Sequence, residues 1–190
     1  MIRDDILKYE PVNEQETADK EQILRFLDRA ETPFLRENKT AHMTASSWIV
    51  NADGTKVLMV YHRIYDSWSW TGGHADGEEN LLSVAMREAR EETGVKSLRL
   101  LSDGIFSLEV LTVDGHEKRG EYVPSHLHMN VTYLLEADET EPLKICEDEN
   151  SGVAWFSTED ALKASTEPWF VERIYKKLNS KMVKYIAKTS

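Results

Sequence analysis

A mixed α/β fold, with a mixed β-sheet covered on both faces by helices, is the architecture that these 190 residues predict. Three observations point to it. Short segments rich in Ser, Thr, Val, Ile and Trp recur between residues 44 and 156. A helical pattern follows a glycine-containing loop in the middle of them. Both ends of the chain carry apolar residues at helical spacing among charges.

In order along the chain, residues 1–40 read as an N-terminal helical extension and 41–190 as the main domain. Within the extension, Ile23, Leu24 and Leu27 share one helical face over residues 14–30, bracketed by Pro11 and Pro33. Residues 44–50 and 56–61 flank the turn Asn51-Ala52-Asp53-Gly54 and predict a hairpin. A loop over 70–77 should lead into a helix over about 77–93. Further strands are expected at 98–101, 105–113, 127–136 and 153–156, with Gly115 and Gly120 in a polar loop.

The C-terminal stretch is helical again. Pro168 suits a first helical turn, and Trp169, Phe170, Ile174, Leu178, Met182, Val183 and Ile186 follow at spacings of three and four. Arg173, Lys176, Lys177, Lys181, Lys184 and Lys188 fall on the other face, and the expectation for them is a solvated helix surface. Trp48, Trp155 and Trp169 are expected in the core.

Composition excludes several function classes. The net charge is −11, which disfavours general nucleic-acid binding and an anionic membrane surface. No apolar run approaches the roughly 18 residues that a membrane span needs. The polar N-terminus does not resemble a secretory signal. The single cysteine, Cys146, excludes a disulfide framework and a multi-cysteine zinc site. The expectation is a cytoplasmic protein with no nucleic-acid or membrane partner. The extension could pack on its own domain or on a second subunit, which leaves a homodimer open.

One segment carries chemistry: Gly73-His74-Ala75-Asp76-Gly77-Glu78-Glu79, seven residues, then Arg87-Glu88-Ala89-Arg90-Glu91-Glu92-Thr93-Gly94-Val95. Asp76 and Glu79 have capping-box spacing, and Gly94 suits the left-handed residue that ends a helix. Leu82, Ala85, Met86, Ala89 and Thr93 form the expected core stripe. Beside it, Glu88, Glu91 and Glu92 lie at i, i+3 and i+4. Like charges at that spacing cost roughly 0.2–0.5 kcal/mol per pair. Carboxylates in the last turn also oppose the helix dipole, at roughly 0.3–1 kcal/mol each. Local rules broken together without structural gain mark a functional site. Clustered carboxylates would be relieved by a hard cation, Mg²⁺ or Mn²⁺.

The full pattern, G-x5-E-x7-R-E-U-x-E-E-x-G-U with U aliphatic, resembles the signature of the Nudix hydrolases. It spans residues 73–95 with every specified position filled. Ala89 is smaller than the usual aliphatic residue, and Thr71 precedes the glycines where many relatives have proline. The resemblance implies an α/β/α sandwich and hydrolysis of a diphosphate linked to another group, usually in a nucleoside diphosphate derivative, with a divalent cation. It implies metal ligation by Glu88, Glu91, Glu92 and the carbonyl of Gly73. Arg87 would orient the glutamates, and Glu79 would be structural or an outer metal contact. Glu91 or Glu92 is the first choice of general base, with Glu121, Glu147 and Glu149 as loop candidates.

Other residues could touch a small-molecule diphosphate. Arg63 could hold a phosphate oxygen and Trp68 could stack on a base or sugar. His126 and His128 share one strand face, as substrate contacts or as packed histidines. Two histidines alone are weak evidence for zinc. Two rival functions remain at this stage: a non-hydrolytic sensor of nucleotide derivatives, disfavoured because all motif glutamates are kept, and an isoprenoid-diphosphate isomerase, for which Cys146 is poorly placed.

Overall fold

Strand β1 (Ala41–Val50) is buried along its full length, because it is flanked on both sides and covered on both faces. The computed structural model describes residues 1–63, 65–118, 120–148 and 150–187. Loop candidate Glu149 and the helix residue Lys188 lie outside the described residues.

The predicted hairpin forms between β1 and β2 (Lys56–His62), with Ile49 opposite Leu58. Its turn is pinned by the Asn51 side chain, whose Oδ1 accepts from Lys56 N at 2.9 Å. β1 then changes partner. β3 (Ser67–Ser69) pairs with β2, while β4 (Thr71–His74) pairs antiparallel with β1 over Thr44–Ser47. The segment expected to be a loop over 70–77 is thus partly strand. Gly72 explains the close fit, since a Cβ there would lie 2.5 Å from Ser46 Oγ.

On its other edge β1 runs parallel to β9 (His126–Ala137), from Ala41 opposite Leu127 to Val50 opposite Glu136. β5 (Leu98–Leu100) and β6 (Ser107–Val113) both pair with β9, and β10 (Asn150–Ser157) closes the far side against β2. The polar loop around Gly115 and Gly120 forms a small hairpin, β7 (His116–Lys118) and β8 (Glu121–Val123).

Two apolar clusters make the layers. Helix α3 (Leu81–Thr93) packs Leu81, Val84, Ala85 and Ala89 on Met43, Ala45 and Ile49. The N-terminal helices α1 (Ile2–Lys8) and α2 (Glu14–Leu27) bury Ile6 and Ile23 in the same cluster. On the opposite face, Trp48, Val50 and Leu134 meet the C-terminal helix. The result is the expected α/β/α sandwich with a mixed sheet and helices at the N-terminus. Among the described residues no helix is long and apolar enough to cross a membrane.

Several expectations need correction. The helix of the acidic motif begins at Leu81, and Asn80 caps it by accepting from Ser83 N at 3.2 Å. Asp76 instead adopts a positive φ of 48° and pairs with Arg36, which removes it from capping. Leu82 and Met86 are only half-buried at the edge of the core stripe. A short helix, α4 (Thr158–Ala164), precedes the C-terminal one. That helix starts as α5 (Pro168–Phe170), passes through a π-helical turn (Val171–Tyr175) and continues as α6 (Lys176–Ile186). The π turn rotates the helical register and brings Ile174 and Tyr175 inward together. Trp169 is left 47% exposed and Val183 lies on the surface, so neither is core. Trp155 is half-buried against the core.

The lysine face is not uniformly solvated. Lys177 is buried and donates to Glu109 Oε1 at 2.9 Å, and Lys181 donates to Glu16 Oε1 at 2.8 Å. Glu16 also accepts from Ser107 Oγ at 2.7 Å. A buried polar layer thereby joins α2, β6 and α6. It continues through Thr132 and Asn130, both donating to Glu109 Oε2, to Thr44 and Ser46 on β1.

Candidate active site

Gly73 faces Glu88 so closely that a Cβ at this position would lie 2.3 Å from the glutamate Cδ. Only glycine lets the strand backbone approach that carboxylate. One turn further along α3, Glu92 is 3% exposed, and its Oε2 accepts from Gly72 N at 3.0 Å. Glu88 and Glu92 are therefore both turned onto the Gly72–Gly73 backbone. Glu91 faces outward, with its side chain 57% exposed.

Arg87 organises this group. Its Nη2 donates to Glu88 Oε1 at 2.7 Å and to the His74 carbonyl at 3.3 Å, and its Nε lies 4.0 Å from Glu91 Oε2. Hydrogen bonding to Glu88 raises the guanidinium pKa further, so its charge is permanent.

The end of α3 is stabilised from outside. Gly94 takes the left-handed conformation at φ 80°. The loop before β10 and the first residue of that strand dock on the terminal carbonyls: Lys144 N donates to Thr93 O at 2.8 Å, and Asn150 Nδ2 donates to Glu92 O at 2.9 Å. These contacts offset part of the cost of acids at a helix C-terminus. They also bring Cys146, through its backbone bonds to Asn150, near the helix end. Sequence distance had hidden this proximity. Asn150 itself, fully buried, carried no sequence signal.

The remaining candidates separate. Glu147 is exposed in the docked loop, and Glu121 is exposed on β8. Glu79 is exposed before the Asn80 cap. Arg63 is exposed in the turn after β2. Trp68 packs edge-on against Phe156 and Tyr61, with ring centroids 4.8 and 5.4 Å apart, so its neighbours are aromatics of β10 and β2. His126 and His128 do share a face, and the structure brings His42 and His74 to them. Those two were missed because only the β1–β9 and β1–β4 registers place them there. The three glutamates do not form a comparably tight group of donor atoms among the described residues.

Comparison with known proteins identifies the fold and the family. No curated protein matches the chain. Solved structures do. A C. elegans Ap4A hydrolase in a binary complex superposes with a TM-score of 0.55 at 19% identity, covering 77% of this chain and 98% of that one. An E. coli dihydroneopterin triphosphate pyrophosphohydrolase gives 0.53 at 15% identity, covering 77% and 95%. A Nudix-family hydrolase from Clostridium perfringens gives 0.50 at 22% identity, covering 73% and 97%. These likenesses establish the fold. The family model described as the NUDIX domain matches residues 40–178. With that match over most of its length, and with the helix of acids seated on a glycine strand, the chain belongs to the Nudix family of hydrolases.

Proposed function

We propose that the protein hydrolyses a diphosphate linkage in a nucleoside diphosphate derivative or related small molecule, using Mg²⁺ or Mn²⁺. The observation that carries this reading is the seating of Glu88 and Glu92 on the Gly72–Gly73 backbone, with Arg87 bridging helix and strand. Glu88, Glu91, Glu92 and the Gly73 carbonyl would hold the ion. Carboxylates and a backbone carbonyl are all oxygen donors, the set that suits a hard divalent cation. When bound, the ion would neutralise phosphate charge and lower the pKa of water.

The chain's own residues divide the remaining work. Arg87 fixes the Glu88 carboxylate against β4. The Gly72 N–H fixes one oxygen of Glu92. Glu91, the solvent-facing acid, is open to take a proton from the attacking water. Two of the structural neighbours support the substrate class, because Ap4A and dihydroneopterin triphosphate both contain phosphoanhydride chains. On this reading residues 1–40 are an extension built onto a hydrolase domain at 41–190. A single cysteine, which can form no disulfide within the chain, fits a reducing cytoplasm.

The test is a hydrolysis panel with Mg²⁺: ADP-ribose, NADH, diadenosine polyphosphates, sugar nucleotides and oxidised nucleoside triphosphates. The wild type should cleave at least one. Glu91→Gln and Glu92→Gln should each lose about 10²–10⁴-fold in rate. Equal rates in all three proteins would remove these carboxylates from the mechanism.

A further inference from the structure

Four histidines converge from three strands on the face of the sheet opposite α3. In the parallel ladder His128 lies opposite His42, and His126 shares their face two residues earlier. In the antiparallel ladder His74 lies opposite Thr44, which shares the face of His42. One ring nitrogen from each of the four lies within 4.8 Å of all the others.

Hydrogen bonding fixes which nitrogens point inward. His42 Nδ1 is 3.2 Å from the Asn38 carbonyl, and His126 Nδ1 is 2.8 Å from the Pro124 carbonyl. A carbonyl only accepts, so each Nδ1 carries the hydrogen. In the neutral ring Nε2 is then an acceptor, the form in which an imidazole nitrogen binds a metal. His42 is 4% exposed, and its Nε2 has no hydrogen-bond partner. An imidazole whose outer N–H is held by a backbone carbonyl while its other nitrogen faces a shared centre has the arrangement of a metal ligand. His126 Nε2 and His128 Nε2 are 3.2 Å apart. Ligands about 2.0–2.1 Å from a tetrahedral ion are about 3.3 Å from each other.

Arg36 adds positive charge nearby but is ion-paired with Asp76. His42 forms the buried floor, while the other three rings are half-exposed and leave a path from solvent.

We propose that His42, His74, His126 and His128 bind one divalent transition-metal ion of the zinc class, at a site separate from the carboxylates of α3. Four neutral imidazoles favour Zn²⁺, Ni²⁺ or Cu²⁺ over Mg²⁺. The two sites lie on opposite faces of β4, since Gly73 and His74 alternate along it. A bound ion would tie together the start of β1, the end of β4 and the start of β9.

The test titrates the full-length, tag-free, metal-stripped chain with Zn²⁺ against a chromophoric chelator in excess Mg²⁺. One Zn²⁺ per chain is expected, with a rise in Tm. His126→Asn/His128→Asn should weaken binding by more than the roughly 10–100-fold that loss of an outer partner costs a metal site. The single His126→Gln, at the exposed rim, should weaken it too, and serves if the double variant does not fold. Glu88→Gln/Glu92→Gln and Cys146→Ser should bind Zn²⁺ like the wild type. No Zn²⁺ bound by the wild type, unchanged affinity in the folded histidine variants, or binding that follows the glutamates would each overturn the site. Because the glutamate variants report hydrolysis and the histidine variants report Zn²⁺, the two assignments fail separately.

Discussion

Gly73 and Glu88 show how much depends on one missing side chain. A methyl group at residue 73 would occupy the space of the Glu88 carboxylate. Gly73→Ala should therefore displace Glu88 and lower kcat at least as strongly as it perturbs folding. Comparison of kcat with urea-derived stability for the same variant checks this, and full activity would contradict it. The motif glutamates and Arg87 were legible in the sequence because they sit on one helix, where spacing alone sets direction. Asp76 and Glu79 were misread as a capping box, because nothing local shows that Arg36, 40 residues earlier, would capture Asp76. His42 and His74 were invisible for a related reason. Their neighbours come from other strands, and strand register is a tertiary property.

At the scale of elements, α3 is held at both ends by single side chains. Asn80→Ala should cost about 0.5–2 kcal/mol, the usual worth of an N-cap. Gly94→Ala should cost about 1–3 kcal/mol from its left-handed backbone. The added Cβ would also meet Lys144 Cβ at 2.8 Å and push away the docked loop. Both values can be read from denaturant midpoints at constant m. Existence and type were legible for this helix and for β1, β2, β6, β9 and β10, where periodicity runs long. β3 and β4 were missed because Ser, Trp and Gly segments this short carry no pattern. The π turn was missed because it changes the register of an otherwise regular apolar stripe.

Across the whole molecule, the buried layer between α2, β6 and α6 makes the N-terminal segment part of the packed structure. Burial alone would raise the Glu16 carboxyl pKa, but Lys177 and Lys181 outweigh it and bring it down to about 2, from 4.5. A folded-state pKa below the unfolded one means stability that is present above about pH 4.5 and lost as pH falls toward 2. The difference amounts to about 3 kcal/mol. Glu16→Gln should flatten that acid limb in a series of urea melts. It should also destabilise at neutral pH by about 3–5 kcal/mol, because Lys181 would lose its ion pair with Glu16 and Lys177 would keep only its pair with Glu109. An unchanged acid limb would show that Glu16 does not carry it. The sequence disguised this layer, since lysines at helical spacing read as a wet surface and only the fold turns two of them inward.

The long side-by-side pairing of β1 with β9 has a kinetic consequence. Partners such as Thr44 and Asn130 are 86 residues apart in the chain. The intervening polypeptide must be drawn into a closed loop before any of those backbone bonds repays the lost entropy. Refolding from urea, followed by tryptophan fluorescence after rapid dilution, should accordingly take milliseconds to seconds rather than microseconds. Within the N-terminal region, the helical turns of α1 and α2 can form far earlier than the central strand finds its distant neighbour.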